Sequence, residues 1–162
     1  MKMIYVIRHA KSSWDDLGLN DFKRPLNERG KKDVPRMASR LKEQNIVVDL
    51  ILSSPAERAF ATSKVMASAL TYAQKDIKTD PRIYLAAEST LLAVLREIDD
   101  AHTNVMIVGH NPGLTEFINQ LMSLSMGAIP TCGVVAAKLT IASWKELGWG
   151  CGRQEFFYSP KQ

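Results

Sequence analysis

Apolar residues in this chain fall into two kinds of pattern. Met3-Ile4-Tyr5-Val6-Ile7, Leu50-Ile51-Leu52 and Val105-Met106-Ile107-Val108 are short continuous runs of strand length. Between them, apolar positions recur at helical spacing. Val34, Met37, Ala38 and Leu41 form one such stripe, Leu91, Leu92, Leu95 and Ile98 a second, and Leu114, Phe117, Ile118, Leu121 and Met122 a third. Strands alternating with helices predict an α/β fold of three layers, α/β/α, in which a mostly parallel sheet is covered on both faces. Val134 to Ile141 reads as a further strand, and Gln154 to Tyr158 as an edge strand before the polar tail. Nothing divides the chain, so residues 1–162 are expected to form a single domain.

Local signals mark where the helices start. Asn27 suits the N-cap of the first helix, and Pro35 inside it should bend the helix or delay its regular start. Ser54 can cap the second helix, with Pro55 at its first position and Glu57 completing a capping box. A third helix follows Ser89, and in the fourth Asn111 caps and Pro112 starts. A polar, turn-rich loop from Lys11 to Arg24 holds Trp14, Asp15, Asp16 and Gly18.

Composition narrows the picture only slightly. Of the 162 residues, 46% are hydrophobic and 23% charged, as in an ordinary globular chain. No apolar stretch reaches the roughly 18–20 residues that span a bilayer. The first residues run at once into a strand rather than into a signal peptide, so a cytoplasmic protein without membrane partners is expected. The net charge of +4 is mild, and no long Lys/Arg block points to nucleic acid. Cys132 and Cys151 belong to no metal-binding cluster and read as idle thiols.

The chemistry gathers at the ends of the three apolar runs. Arg8-His9 follows the first, Ser53-Ser54-Pro55-Ala56-Glu57-Arg58 the second, and Gly109-His110-Asn111-Pro112 the third. In open α/β sheets, ligands bind outside the carboxyl ends of the strands. Singly, each element has an ordinary structural explanation, but their shared position favours one anion site. Arginine forks match the oxygens of a phosphoryl group, and exposed amides at helix N-termini add to them. A neutral imidazole can attack phosphorus, and a protonated one can donate to the equatorial oxygens. With guanidinium groups supplying the positive charge, no metal or cofactor is required.

These motifs also carry a family resemblance. Arg8-His9-Ala10-Lys11-Ser12, Ser53-Ser54-Pro55 through Arg58-Ala59 and Thr62, and Gly109-His110-Asn111-Pro112 resemble the histidine phosphatase superfamily, the phosphoglycerate-mutase-like fold. The short length and Arg24-Pro25-Leu26-Asn27-Glu28-Arg29-Gly30 look like its bacterial SixA-type phosphohistidine phosphatase branch. The resemblance implies parallel strands plus an antiparallel edge strand. It implies a metal-independent phosphatase in which His9 is the nucleophile and Arg8, Arg58 and His110 complete the phosphate pocket. Ser12 and Arg24 become candidate contacts to phosphate or substrate, as against a structural role in their loop. Ala10 and Lys11 depart from the glycine and glutamate that many members carry, which argues against the mutase branch.

A proton donor to the leaving group is less clearly marked. Glu88 is the positional candidate among substrate-contacting residues, with Asp15, Asp16 and Asp21 as others and exposed helix-start decoration as the alternative for Glu88. The expected partner is a protein phosphorylated on histidine. A small phosphorylated substrate, or a phosphate-binding module without catalysis, fits the same residues.

Overall fold

The computed structural model describes residues 1–161. Six strands form one sheet: β1 (Lys2–Arg8), β2 (Leu50–Ser53), β3 (Lys78–Thr79), β4 (Asn104–Gly109), β5 (Val134–Leu139) and β6 (Gly152–Tyr158). Four α-helices join them: α1 (Glu28–Glu43), α2 (Glu57–Ala69), α3 (Glu88–Arg96) and α4 (Gly113–Met122). The strand order is β3-β2-β4-β1-β5-β6, parallel from β3 through β1. The expected antiparallel edge strand is β6, and the antiparallel pairing begins one strand further in. β5 runs antiparallel to β1, and β6 antiparallel to β5. β3 escapes the apolar pattern because it is two exposed polar residues.

Burial on both faces explains the continuous apolar runs. Alternate residues of a strand point to opposite faces. Ile4, Val6, Leu52, Val105 and Ile107 pack with α3 and α4, whereas Tyr5, Ile7, Ile51, Met106 and Val108 pack with α1 and α2. The three helical stripes supply the covering surfaces, with Ile98 packed half-buried just past the end of α3. Among the described residues, no helix is long and apolar enough to cross a membrane. Both cysteines are free.

The helix starts follow the local signals in part. Asn27 caps α1, its side chain accepting from the Gly30 N–H at 2.8 Å. The helix runs unbroken through Pro35, which lies on the exposed side where water can serve the carbonyl that Pro35 leaves unpaired. The capping box of α2 is not formed: Ala56 holds the cap position without a side-chain bond, and Pro55 precedes the helix. Ser54 is instead engaged by a histidine, as described below. Helix α3 begins at Glu88, just ahead of Ser89. Helix α4 begins at Gly113 with Pro112 as cap residue, and Asn111 reaches in from one residue earlier to accept from the N–H and hydroxyl of Thr115.

Candidate active site

The carboxyl end of β1 is pinned by backbone bonds before any side chain is considered. The N–H of His9 donates to the Gly109 carbonyl at 3.1 Å, and the Cys132 N–H is shared between the carbonyls of Arg8 and His9, 3.0 Å from each. The next amide, Ala10, donates to Thr62 Oγ1 at 3.1 Å, and that hydroxyl donates to the Arg58 carbonyl at 2.8 Å. Thr62 therefore couples the end of β1 to the first turn of α2. Gly30 makes the other close approach, since a Cβ there would sit 2.2 Å from the Lys11 carbonyl oxygen.

His9 is buried, and its Nδ1 lies 2.8 Å from the Ala10 carbonyl oxygen. A carbonyl only accepts, so Nδ1 carries the proton and Nε2 keeps its lone pair. That lone pair faces Arg58 Nε at 3.4 Å. Burial pushes the His9 pKa down to about 4, with the Arg58, Arg8 and Arg24 charges adding to it against the Ala10 bond. His110, at the end of β4, is also buried, and its ring centroid lies 5.1 Å from that of His9. Its Nδ1 accepts from Arg58 Nη2 at 3.4 Å, so in the neutral ring Nε2 donates to Ser54 Oγ at 2.7 Å. The Ser54 hydroxyl also accepts from the Ala56 N–H at 3.2 Å. Burial lowers the His110 pKa to about 3, reinforced by His9 and Arg58.

The arginines approach from three elements. Arg58, in the first turn of α2, turns its Nε–Nη2 edge to the two imidazoles and its other edge to Asp21. Arg8 donates from Nη1 to the Ile129 carbonyl at 2.9 Å, an oxygen that also accepts from Asn111 Nδ2. The Arg8 Nε is buried with no hydrogen-bond partner among the described residues. A buried cationic donor left unpaired is costly, and an anion is the group that would satisfy it. Arg24 is buried, bonded to the Ser13 carbonyl, to Asp21 Oδ1 at 2.9 Å and to the Ser12 hydroxyl. The Trp14 ring lies flat against its guanidinium, 3.3 Å from the ring centroid.

These side chains enclose a cavity of about 170 Å³ lined by Arg8, His9, Lys11, Ser12, Trp14, Arg24, Arg58 and Thr131. The structure thus brings together Arg8, His9, Ser12, Arg24 and Arg58 around one space, with His110 immediately behind Arg58. It does not bring Glu88 there. The Glu88 carboxyl meets Glu116 and Gln120 on α4, a like-charge pair in which Glu88 titrates low and Glu116 high. Asp15 and Asp16 lie on the exposed loop.

Asp21 is the carboxylate that reaches the site. Besides Arg58 and Arg24, its Oδ2 accepts from the Tyr84 hydroxyl at 2.5 Å. Partial burial works against ionisation, but the Tyr84, Arg58 and Arg24 donors overcome it and hold the pKa at about 2. Its spacing from Arg24, three residues on, was a readable local signal. Tyr84, 63 residues from Asp21, and Thr131 carried none. Chemically the cavity offers one unprotonated imidazole nitrogen and several fixed cations, two of which are held by the ionised Asp21 carboxylate. Among the described residues no group of three or more His, Cys, Asp or Glu is placed to hold a metal ion.

Comparisons with known proteins agree with this geometry. Residues 4–84 match the model of the histidine phosphatase superfamily, branch 1. The crystal structure of SixA from Agrobacterium tumefaciens superposes with a TM-score of 0.84 at 27% identity, covering 98% of each chain. An uncharacterized chloroplastic protein of Arabidopsis thaliana is 30% identical over 90% of this chain and 70% of its own length. An uncharacterized protein of Mycobacterium tuberculosis is 28% identical over 96% of this chain and its whole length. On the shared fold and the matching family model, the chain belongs to the histidine phosphatase superfamily and is a phosphatase of the SixA type.

Proposed function

We propose that the protein removes phosphoryl groups from histidine side chains of other proteins, by way of a phosphohistidine on His9. In the first step His9 Nε2 forms a bond to phosphorus while the bond from phosphorus to the substrate imidazole breaks. In the second, water attacks the phosphoryl group on His9, and inorganic phosphate leaves with the imidazole restored. Arg8, Arg58 and a protonated His110 stabilise the charge on the equatorial oxygens in both steps. Burial first, and then the neighbouring His9 and Arg58 charges, keep His110 neutral in the empty pocket. The negative charge of a bound phosphoryl dianion opposes both and favours the second proton on His110.

The observation that carries this reading is the tautomer of His9. The Ala10 carbonyl takes the Nδ1 proton, which leaves Nε2 unprotonated beside Arg58. The choice of phosphohistidine over an ester rests on Asp21. A carboxylate with a pKa of about 2 is ionised near neutrality and has no proton to give to an alkoxide. A leaving imidazole, with an ordinary pKa of about 6.5, needs far less help. The phosphohistidine phosphatase assignment of the Agrobacterium tumefaciens protein points the same way.

The test is to mix the enzyme with a histidine-phosphorylated protein bearing radioactive phosphate, quench within milliseconds, and map the label. An acid-labile, alkali-stable label on His9, absent in His9→Ala, is expected together with release of phosphate. Saturable binding with neither label nor release would replace the enzyme with a binding module. Faster turnover of phosphomonoesters than of phosphohistidine would move the substrate to the ester class.

A further inference from the structure

Five large apolar side chains stand exposed on the two loops that flank the cavity. Trp14, Leu17, Leu19 and Phe22 occupy one, at 66%, 87%, 37% and 39% exposure, and Leu85 the other, at 56%. Scattered exposed apolar residues need no explanation, but a group around one mouth does. The two loops meet: the Phe22 ring packs edge-to-face on Tyr84, with centroids 5.1 Å apart, and the Tyr84 hydroxyl bonds Asp21. Leu85 follows directly, with a left-handed φ of 51°. A branched side chain in that conformation is strained, and here it is held outward into solvent rather than buried.

The rim surrounds a floor of opposite character. Arg8, Lys11, Arg24 and Arg58 line the cavity, and Asp21 is the carboxylate bonded to two of them. The floor therefore suits a phosphoryl group, and the rim suits apolar surface around it. A sugar or amino-acid phosphate, polar throughout, would leave the rim wet. Aromatic and aliphatic anchors around a central charged contact are what a protein interface supplies. We propose that Trp14, Leu17, Leu19, Phe22 and Leu85 form the docking surface for a folded protein that presents its phosphorylated histidine to the cavity. The proposal rests on the phosphohistidine reading above.

Leu17→Glu combined with Leu85→Asn tests it, because neither side chain lines the cavity and asparagine tolerates left-handed backbone. The probes are free phosphohistidine and three folded proteins of unrelated fold, each phosphorylated on one exposed histidine with potassium phosphoramidate. The parent enzyme is expected to favour at least one protein over free phosphohistidine in kcat/KM. In the double variant that preference should fall about tenfold through KM, with turnover of free phosphohistidine unchanged. No preference in the parent, or equal losses on both kinds of substrate, would overturn the docking surface alone. No release from phosphohistidine in any form would overturn the functional reading and the rim with it. If sedimentation shows the parent to be a dimer that the variant abolishes while protein turnover is kept, the rim is a contact between copies and the proposal fails.

Discussion

Asp21 holds Arg58 by one edge of its guanidinium: its backbone oxygen takes Nη1 at 2.7 Å and its Oδ2 takes Nη2 at 2.9 Å. The edge left over, Nε with the second Nη2 proton, is the one that faces His9 and His110. A guanidinium is planar, so fixing one side fixes the direction of the other. Asp21 thereby aims the arginine from the edge turned away from the two imidazoles. The same carboxyl group holds Arg24 through Oδ1.

Asp21→Asn should therefore lower kcat about tenfold or more and alter KM little. Charge-assisted bonds of this kind are worth about 1.5–3 kcal/mol, and their loss lets Arg58 wander most where the transition state needs it. Steady-state kinetics with vanadate inhibition will check this. If Asp21 merely competed with phosphate for the arginines, the substitution would raise both oxyanion affinity and rate, and the positioning argument would be wrong.

The two site histidines make stability depend on pH. Their folded-state pKa values of about 4 and about 3 lie below the unfolded value of about 6.5. Between these limits the unfolded chain binds more protons, so stability is fully present above pH 6.5 and is lost as pH falls toward 4. Between pH 7.5 and 5.5 the loss is about 1 kcal/mol for each histidine, which lowers Tm by several degrees. Melting curves across this range should show the slope, and His9→Asn with His110→Asn should flatten it.

Glu88→Gln is expected to leave kcat/KM within about twofold of the parent, because the Glu88 carboxyl is turned to Glu116 and Gln120 on α4. A proton donor to the leaving group would instead cost a factor of about 10² or more on removal. Comparing an alkyl phosphomonoester such as phosphoserine with phosphohistidine separates the two, since only the alkoxide leaving group needs an acid.

Thr62→Val keeps the shape of the side chain but strips the Ala10 N–H of its acceptor. Denaturant unfolding should report a loss of about 1–3 kcal/mol for the orphaned amide. Because Ala10 also holds the His9 ring through its carbonyl, the rate of phosphoenzyme formation should fall as well. Unchanged phosphorylation kinetics would mean that His9 is held without Thr62.

Much of the architecture was written in the apolar pattern. The runs ending in Ile7, Leu52 and Val108 became the adjacent strands β1, β2 and β4, and the residues following each run converge on one edge. What local reading misjudged were groups with two suitors. Ser54 is an apt helix cap, but its hydroxyl goes to His110, which belongs to another strand, and α2 starts uncapped. Glu88 sits at the right distance along the chain for an acid, yet the turn before α3 directs it to α4 instead.

The order of apolar and polar residues by itself determined a sheet buried on both faces, with Arg8, His9, Arg58 and His110 at the carboxyl ends of its strands. This is legible because strand and helix impose short, fixed periods on whatever must be buried. Only the tertiary structure decided which nitrogen of His9 is free, which carboxylate meets the arginines, and that Tyr84 joins them. Those outcomes depend on partners many residues apart, and proton positions and pKa values are properties of the surroundings rather than of the residue.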